Sequence, residues 1–461
     1  MQKILLLIAS LFYFNFILAE NEIKSWQGIH ETPLSRLEQQ FAEPPVEFAN
    51  HVIWGWEGKM DKKTICNDLD SIKKKGFRAV IFEAGYKLPF KYLSEEWFKA
   101  IRTGVLEAKK RGMKVWIIDE GKYPSGFAGG KFSQERPDLR MQALVIGDTI
   151  QIKRGEVMTN HKIAPEIISA VAVSTSGAPN RTVAINNGEI SFNAGLDDWK
   201  ILLVKSDFRT AVTRAVNNPN GGKDATNSLC DYLNPVAVQQ FIDWTHEQYK
   251  KYLGKELGTT VLGFRGDEPD YAHLPWTPSI VQTFKDTKGY DPTPYLASFF
   301  TTSPTIQEQR VKADYWDVWS SLFATHFFKL QADWCAANGV AHITHLNKEH
   351  EMPACVKAEG DYFRNLSKVQ IPGVDAIWNQ IWPGTLNDFP KLASSVAHVY
   401  GKPRAFSESF AAYHISPTIP QAKFVVDHQI ARGINFFEFM FWLAGSKHRN
   451  WMSDPGMKGL N

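Results

Sequence analysis

Cysteine is scarce in this 461-residue chain: Cys66, Cys230, Cys335 and Cys355 are all it has, and no two form a CxxC pair. A disulfide scaffold is excluded, leaving room only for an incidental bridge. Charge of one sign is also lacking. The formal net charge is +3, and so close a balance gives no basis for a nucleic-acid or polybasic membrane surface. There is no low-complexity tract, no HExxH and no GxSxG, so the common zincin and serine-hydrolase arrangements are out. The Gly126–Lys131 stretch is not a phosphate loop, because Ser125 stands where a glycine and Phe132 where a Ser or Thr would be needed. Long apolar runs are missing too. The one at the amino terminus, Ile4 to Leu18, is interrupted by Ser10, Tyr13 and Asn15 and is too short for a membrane span.

That terminal run reads instead as an export signal over residues 1–19, with Lys3 as its positive start and Ala19 as its cleavage position. The expectation is a periplasmic or secreted protein with no membrane span once the signal is removed. Residues 20–50 read as a polar lead-in. Aromatics make up 13% of the chain, with 15 Trp. Carbohydrate clefts use such rings to stack sugar faces, and large cores use them as well.

From His51 onward a unit repeats. A helix ends in glycine and the chain runs straight into an apolar strand, as at Gly76, Gly112, Gly258, Gly339, Gly401 and Gly433. With the opening strand at His51–Trp56 and a weaker one at Val374–Ile377, eight strands are predicted. Eight favour a closed α/β (β/α)8 TIM barrel over an open sheet, spanning residues 51–461. The alternation breaks once. Residues 139–230 carry short β-like runs between Gly, Asn and Pro turns, which predicts a small β-rich insertion after the third strand. No eighth helix is predicted after the last strand.

A barrel of this kind places its chemistry at the carboxyl ends of its strands. The residues there are Trp54 and Trp56, then Glu83, then Asp119 and Glu120. Asp267 and Glu268 follow the fourth strand, and His345, Asn347 and Glu349 the fifth. Trp378 and Asn379 follow the sixth, Glu408 and Tyr413 the seventh, and Glu438 and Trp442 the eighth. Glu83 and Asp119 could equally cap the next turn. Glu438 is expected to face outward or to pair with an arginine, and Trp116 and Phe264 to lie in the core. Carboxylates, amides, imidazoles and tryptophans around one mouth suit a sugar, and two opposed carboxyls are what glycosidic bond cleavage requires. His342, His345, Glu349 and His350 invite a metal reading, but their spacing fits no zinc pattern and substrate contact is preferred.

Several stretches together resemble glycoside hydrolase family 106 and its broader uncharacterised relatives. They are Asp119–Gly126, Asp231–Pro235, Gly266–Pro269, Pro275–Pro278 and Ser407–Phe410, and the similarity runs from about Phe48 to Trp442. The resemblance implies α-L-rhamnosidase activity with inversion of configuration, a calcium requirement whose ligands it does not place here, a catalytic acid at Glu268 and a catalytic base at Glu408. No organic cofactor is expected, and the expected partner is an oligo- or polysaccharide. Inversion calls for carboxyls roughly 6.5–9.5 Å apart and retention for roughly 5–5.5 Å, with Glu408 then the nucleophile. Asp267 occupies the place of the asparagine that precedes the acid in familiar retaining barrels, which favours inversion. The rival readings are a catalytically silent glycan-binding barrel and a metal-dependent hydrolase built on His345 and Glu349.

Overall fold

The computed structural model describes residues 33–85, 87–121, 123–209, 213–214, 223–224, 228–269, 271, 274–385, 387–413 and 417–444. The expected export signal lies outside the described residues, as does the segment after the eighth strand. Eight parallel strands close into a barrel: β1 (His51–Trp56), β2 (Ala79–Ala84), β3 (Lys114–Ile118), β4 (Val261–Gly266), β5 (Ala341–Thr344), β6 (Ile371–Ala376), β7 (Phe406–Ser409) and β8 (Phe436–Leu443). Neighbours follow chain order, and β8 returns to pair with β1. The sixth strand begins three residues before the predicted one.

The helices between strands start and stop for local reasons. Asp61 accepts the Thr64 amide to cap Lys62–Lys74, and Ser94 accepts the Trp97 amide to cap Glu95–Lys110. Asn234 caps Pro235–Trp244, with proline at the first helical position where its missing N–H costs nothing. Before β5 a long helical run is made of Ile306–Leu322, a π-helical stretch Phe323–Phe328 and Lys329–Ala337.

Alternation along each strand sorts side chains into two cores. Ile53, Ile81, Trp116, Ile343, Ile371, Phe406 and Phe436 fill the barrel interior. Val52, Trp54, Phe82, Val115, Phe264 and Val374 pack outward against the helices. The interior is tight enough to demand glycine at two inward positions. A Cβ at Gly263 would lie 2.0 Å from the Ala341 carbonyl oxygen, and one at Gly373 would lie 2.1 Å from the Phe406 ring.

Between β3 and β4 the chain leaves the barrel. Gln142–Ile152, Ile167–Ser174 and Trp199–Phe208 form an antiparallel sheet with the short strands Arg181–Thr182 and Pro275–Trp276. A second sheet of Val157–Lys162, Ile185–Asn186 and Glu189–Asn193 stands beside it. They share a core of their own around Phe192, Trp199 and Ile201. Pro275–Trp276 comes after β4, so the chain is stitched to this unit on both sides. All four cysteines are free thiols.

Candidate active site

The carboxyl-terminal mouth is organised by Arg265, an inward residue of β4 that is fully buried. Its Nη1 lies 2.9 Å from Asp267, and its Nε donates at 3.1 Å to Glu438 on the opposite side of the barrel. Its Nη2 donates to Glu408 and lies 2.9 Å from His345 Nε2. Three carboxyls therefore share one guanidinium, whose planar fork suits such contacts. Strand register sets the partners: Asp375 lies opposite Glu408, and Glu408 opposite Glu438. Period-2 alternation turns all three inward.

His345 is the second hub. Its Nε2 lies 3.3 Å from Asp267 and 3.5 Å from Glu408, and its Nδ1 faces the Leu346 carbonyl at 2.9 Å. Burial works against the imidazolium, yet hydrogen bonds to Asp267, Glu349 and Glu408 raise its pKa well above the ordinary histidine value. Burial also opposes ionisation of Asp267, but the charges of Arg265 and His345 outweigh it and hold that carboxyl below the carboxylate range. Two cations thus face the carboxylates of Asp267 and Glu408.

The remaining carboxyls of the cluster are pushed the other way. Burial, reinforced by the Asp267 charge, lifts Glu268 to about 7. Burial lifts Glu438 to about 7 against the pull of Arg265, and raises Asp375 well above its ordinary value. Glu268 also sits at φ +37°, a conformation L-residues rarely adopt and one that clusters at functional sites. Both Glu268 and Glu408 come within 4.8 Å of the His345 imidazole, each in a separate triad with Asp375 or Asp267. Two carboxyls set in opposite electrostatic surroundings at one mouth are the arrangement that divides acid from base.

The other expected site residues divide sharply. Trp54 and Trp56 are not platforms at the mouth: both are fully buried on the helix side of β1, where Trp54 Nε1 donates at 3.3 Å to Asp68. Residue parity explains it, since Ile53 faces inward and Trp54 and Trp56 outward. Glu120 is not open to a ligand either. Its carboxylate accepts the amides of Gly121 at 2.7 Å, Gly129 at 3.0 Å and Ala128, and so folds its own loop. Asp119 accepts the Ser125 hydroxyl at 2.7 Å, and that oxygen accepts the Asp267 amide at 2.7 Å, so Asp119 braces the end of β4 from behind. Glu349 accepts the Leu346 amide at 2.9 Å and backs His345 at 3.6 Å. Tyr413 is buried, its hydroxyl 3.4 Å from the Ile381 carbonyl. Glu83 is buried on β2, in register with Gly55. Asn347 and Asn379 are half-buried. Trp378 is the exposed ring, with 47% of its surface in solvent, on consecutive left-handed residues with Asn379 after β6.

Arg265, Asp375 and Glu438 carry as much of the cluster as the expected pair does. Their signal is a charged residue inside an otherwise apolar strand, as in Val-Leu-Gly-Phe-Arg-Gly. His342, His345 and His350 do not assemble into one metal centre. His342 faces the helices and His350 contacts Gln380 at 2.9 Å. Calcium takes an all-oxygen shell. The described clusters of mouth carboxyls each include His345, and Asp267 and Glu408 already face Arg265. They do not fit calcium.

Residues 180–443 match glycoside hydrolase family 106, described as alpha-L-rhamnosidase. A rhamnosidase structure from Novosphingobium sp. PP1Y superposes with a TM-score of 0.66 at 15% identity, covering 88% of this chain and 56% of that one. A Formosa agariphila protein provisionally named a beta-glucuronidase is 24% identical over 480 residues, covering 92% of this chain and 39% of its own length. The chain therefore spans well under half of that curated relative and just over half of the rhamnosidase chain.

Proposed function

The chain belongs to glycoside hydrolase family 106, and from that premise we propose that its barrel is an exported, inverting α-L-rhamnosidase-like exo-enzyme that removes a terminal deoxy-sugar from a glycan. The terminal sugar stacks on Trp378 at the rim. Glu268 donates its proton to the departing glycosidic oxygen as the C–O bond breaks. Glu408 takes a proton from the water that attacks the anomeric carbon from the opposite face. Arg265 and His345 hold Glu408 Oε2, which leaves Oε1 to receive that proton. Asp375, beside Glu268, is the second proton store.

The observation that carries this reading is the contrast between Glu268, lifted to about 7, and Glu408, paired with Arg265. At neutral pH one carboxyl has a proton to give and the other is paired with a cation. No described helix is long and apolar enough to cross a membrane, and export rests on residues 1–19.

A second reading, a barrel for a uronic acid, is favoured by one feature. A cavity of about 620 Å³ is lined by Phe299, Phe300 and Trp316 together with Lys312, Lys348 and Lys357. Lys348 lies three residues beyond His345. Lysines around an aromatic wall match a sugar that carries a carboxylate, in keeping with the name of the Formosa relative. The test is turnover of a panel of aryl rhamnosides and aryl uronides, with the first anomer formed read by proton NMR. Inverted rhamnose is expected. A retained anomer makes Glu408 the nucleophile, turnover of uronides alone supports the second reading, and no turnover on the panel supports a glycan-binding barrel.

A further inference from the structure

We propose that the barrel wall holds a structural metal site, in which His246, Cys335 and His342 bind one thiophilic closed-shell cation, Zn²⁺ or Cu⁺, behind the strand that carries His345. Three elements bring the donors together. His342 is the outward residue between Ala341 and Ile343 on β5, His246 opens the helix His246–Leu253, and Cys335 lies near the end of Lys329–Ala337. One ligand atom from each lies within 4.8 Å of the other two, and all three side chains are buried.

The hydrogen bonding around the cluster is incomplete in a way that a cation would complete. His246 Nδ1 is 2.9 Å from the Thr245 hydroxyl, which fixes the ring and leaves Nε2 as its free donor atom, and among the described residues Nε2 has no hydrogen-bond partner. Neither ring nitrogen of His342 has one. Buried polar nitrogens are normally satisfied, and orphans of this kind point to an unseen ion or water. Thr245 is placed as the outer partner that metal-bound histidines commonly have.

Donor chemistry selects the ion. One thiolate and two imidazoles suit Zn²⁺ or Cu⁺, and the absence of any carboxylate from the cluster sets calcium and magnesium aside. A triangle with edges of at most 4.8 Å has its centre no more than about 2.8 Å from each corner, so closing to bonds of about 2.0–2.3 Å needs a contraction of at most about 0.5–0.8 Å. Charge favours Cu⁺, which one thiolate neutralises, while Zn²⁺ would add a fourth ligand such as water. The site is separate from the mouth: His345 faces inward, whereas His342 packs outside the wall, 3.2 Å from where a Cβ on Gly266 would be.

Because the donors are buried, the ion must load as the chain folds. The full chain is unfolded in denaturant with chelator, refolded with Zn²⁺ or with Cu⁺ under reductant, dialysed and weighed by native mass spectrometry. One ion per chain from either arm is expected, with the arm that loads identifying the ion, and Cys335→Ser or His342→Gln should lose it. Retention of no ion in either arm overturns the proposal, as does an ion that survives both substitutions. Should the variants fail to fold, the unaltered chain refolded with cobalt(II), and separately with Cu⁺, decides. A sulfur-to-metal charge-transfer band in either supports the site, and its absence from both overturns it.

Discussion

The two halves of the barrel wall use the same strand geometry for different ends. On β1 to β3 the polar and aromatic residues at the strand ends are consumed by the protein itself. Trp54 and Trp56 wedge under the helices, Glu120 gathers three amides of its loop, and Asp119 braces β4 through Ser125. On β4 to β8 the corresponding positions converge on open chemistry, with Arg265, Asp267, Glu268, His345, Asp375, Glu408 and Glu438 in one network. The difference teaches that position at a strand end is not enough. Which face the side chain takes, and whether nearby backbone amides claim it, decides between scaffold and site.

The largest effect expected from that division is on turnover. Glu268→Gln and Glu408→Gln should each lower kcat by about 10²–10⁴-fold with the sugar affinity little changed, while Glu120→Gln should act through stability. Steady-state kinetics beside calorimetric binding separates these outcomes. Loss of affinity in step with kcat would blur the division between the halves.

Stability should divide differently from turnover. Trp54→Ala removes a fully buried ring and should cost about 3–5 kcal/mol in urea unfolding. Arg265→Met should cost a comparable amount, about 3–5 kcal/mol, because it strands buried carboxylates without a cation. Arg265→Met should also abolish activity, and the folded fraction of Trp54→Ala should keep its kcat.

Next comes pH. Glu268 is raised to about 7, so the protonated form that the proposed acid role requires predominates below that pH and is lost above it. The log of kcat/KM should therefore fall with slope −1 above roughly pH 7, about tenfold per unit. A profile flat to pH 9 would remove Glu268 from the acid role. The smallest effect is at the rim. Trp378→Ala should raise KM several-fold while leaving the unfolding midpoint within about 0.5 kcal/mol of the parent, as for other exposed positions.

Much of this arrangement was legible in the residues. Glycine followed by an apolar run marked the strands because a helix end and a buried strand each leave a local signature. Glu268 and Glu408 were visible as acids closing such runs, and the family resemblance singled out that pair. Arg265 and Asp375 were harder to see, because a single charge inside a strand reads as an outward residue until the barrel closes and supplies its partners from strands far apart in sequence; of the two expectations for Glu438, facing outward or pairing with an arginine, the pairing holds, with Arg265. Parity could have placed Trp54 and Trp56: if Ile53 fills the interior, its neighbours must face the helices. Glu120 had no such clue. Its loop amides meet it only once Ala128 and Gly129 have turned back.

The most direct test of the account is the dependence of Glu268→Gln on the leaving group, using glycosides of the sugar the enzyme accepts. An acid that protonates the departing oxygen is needed for a poor leaving group and dispensable for a dinitrophenolate. The account predicts that Glu268→Gln loses about 10²–10⁴-fold on an alkyl glycoside and stays within about tenfold of the parent on the dinitrophenyl glycoside. Equal losses on both substrates would contradict it.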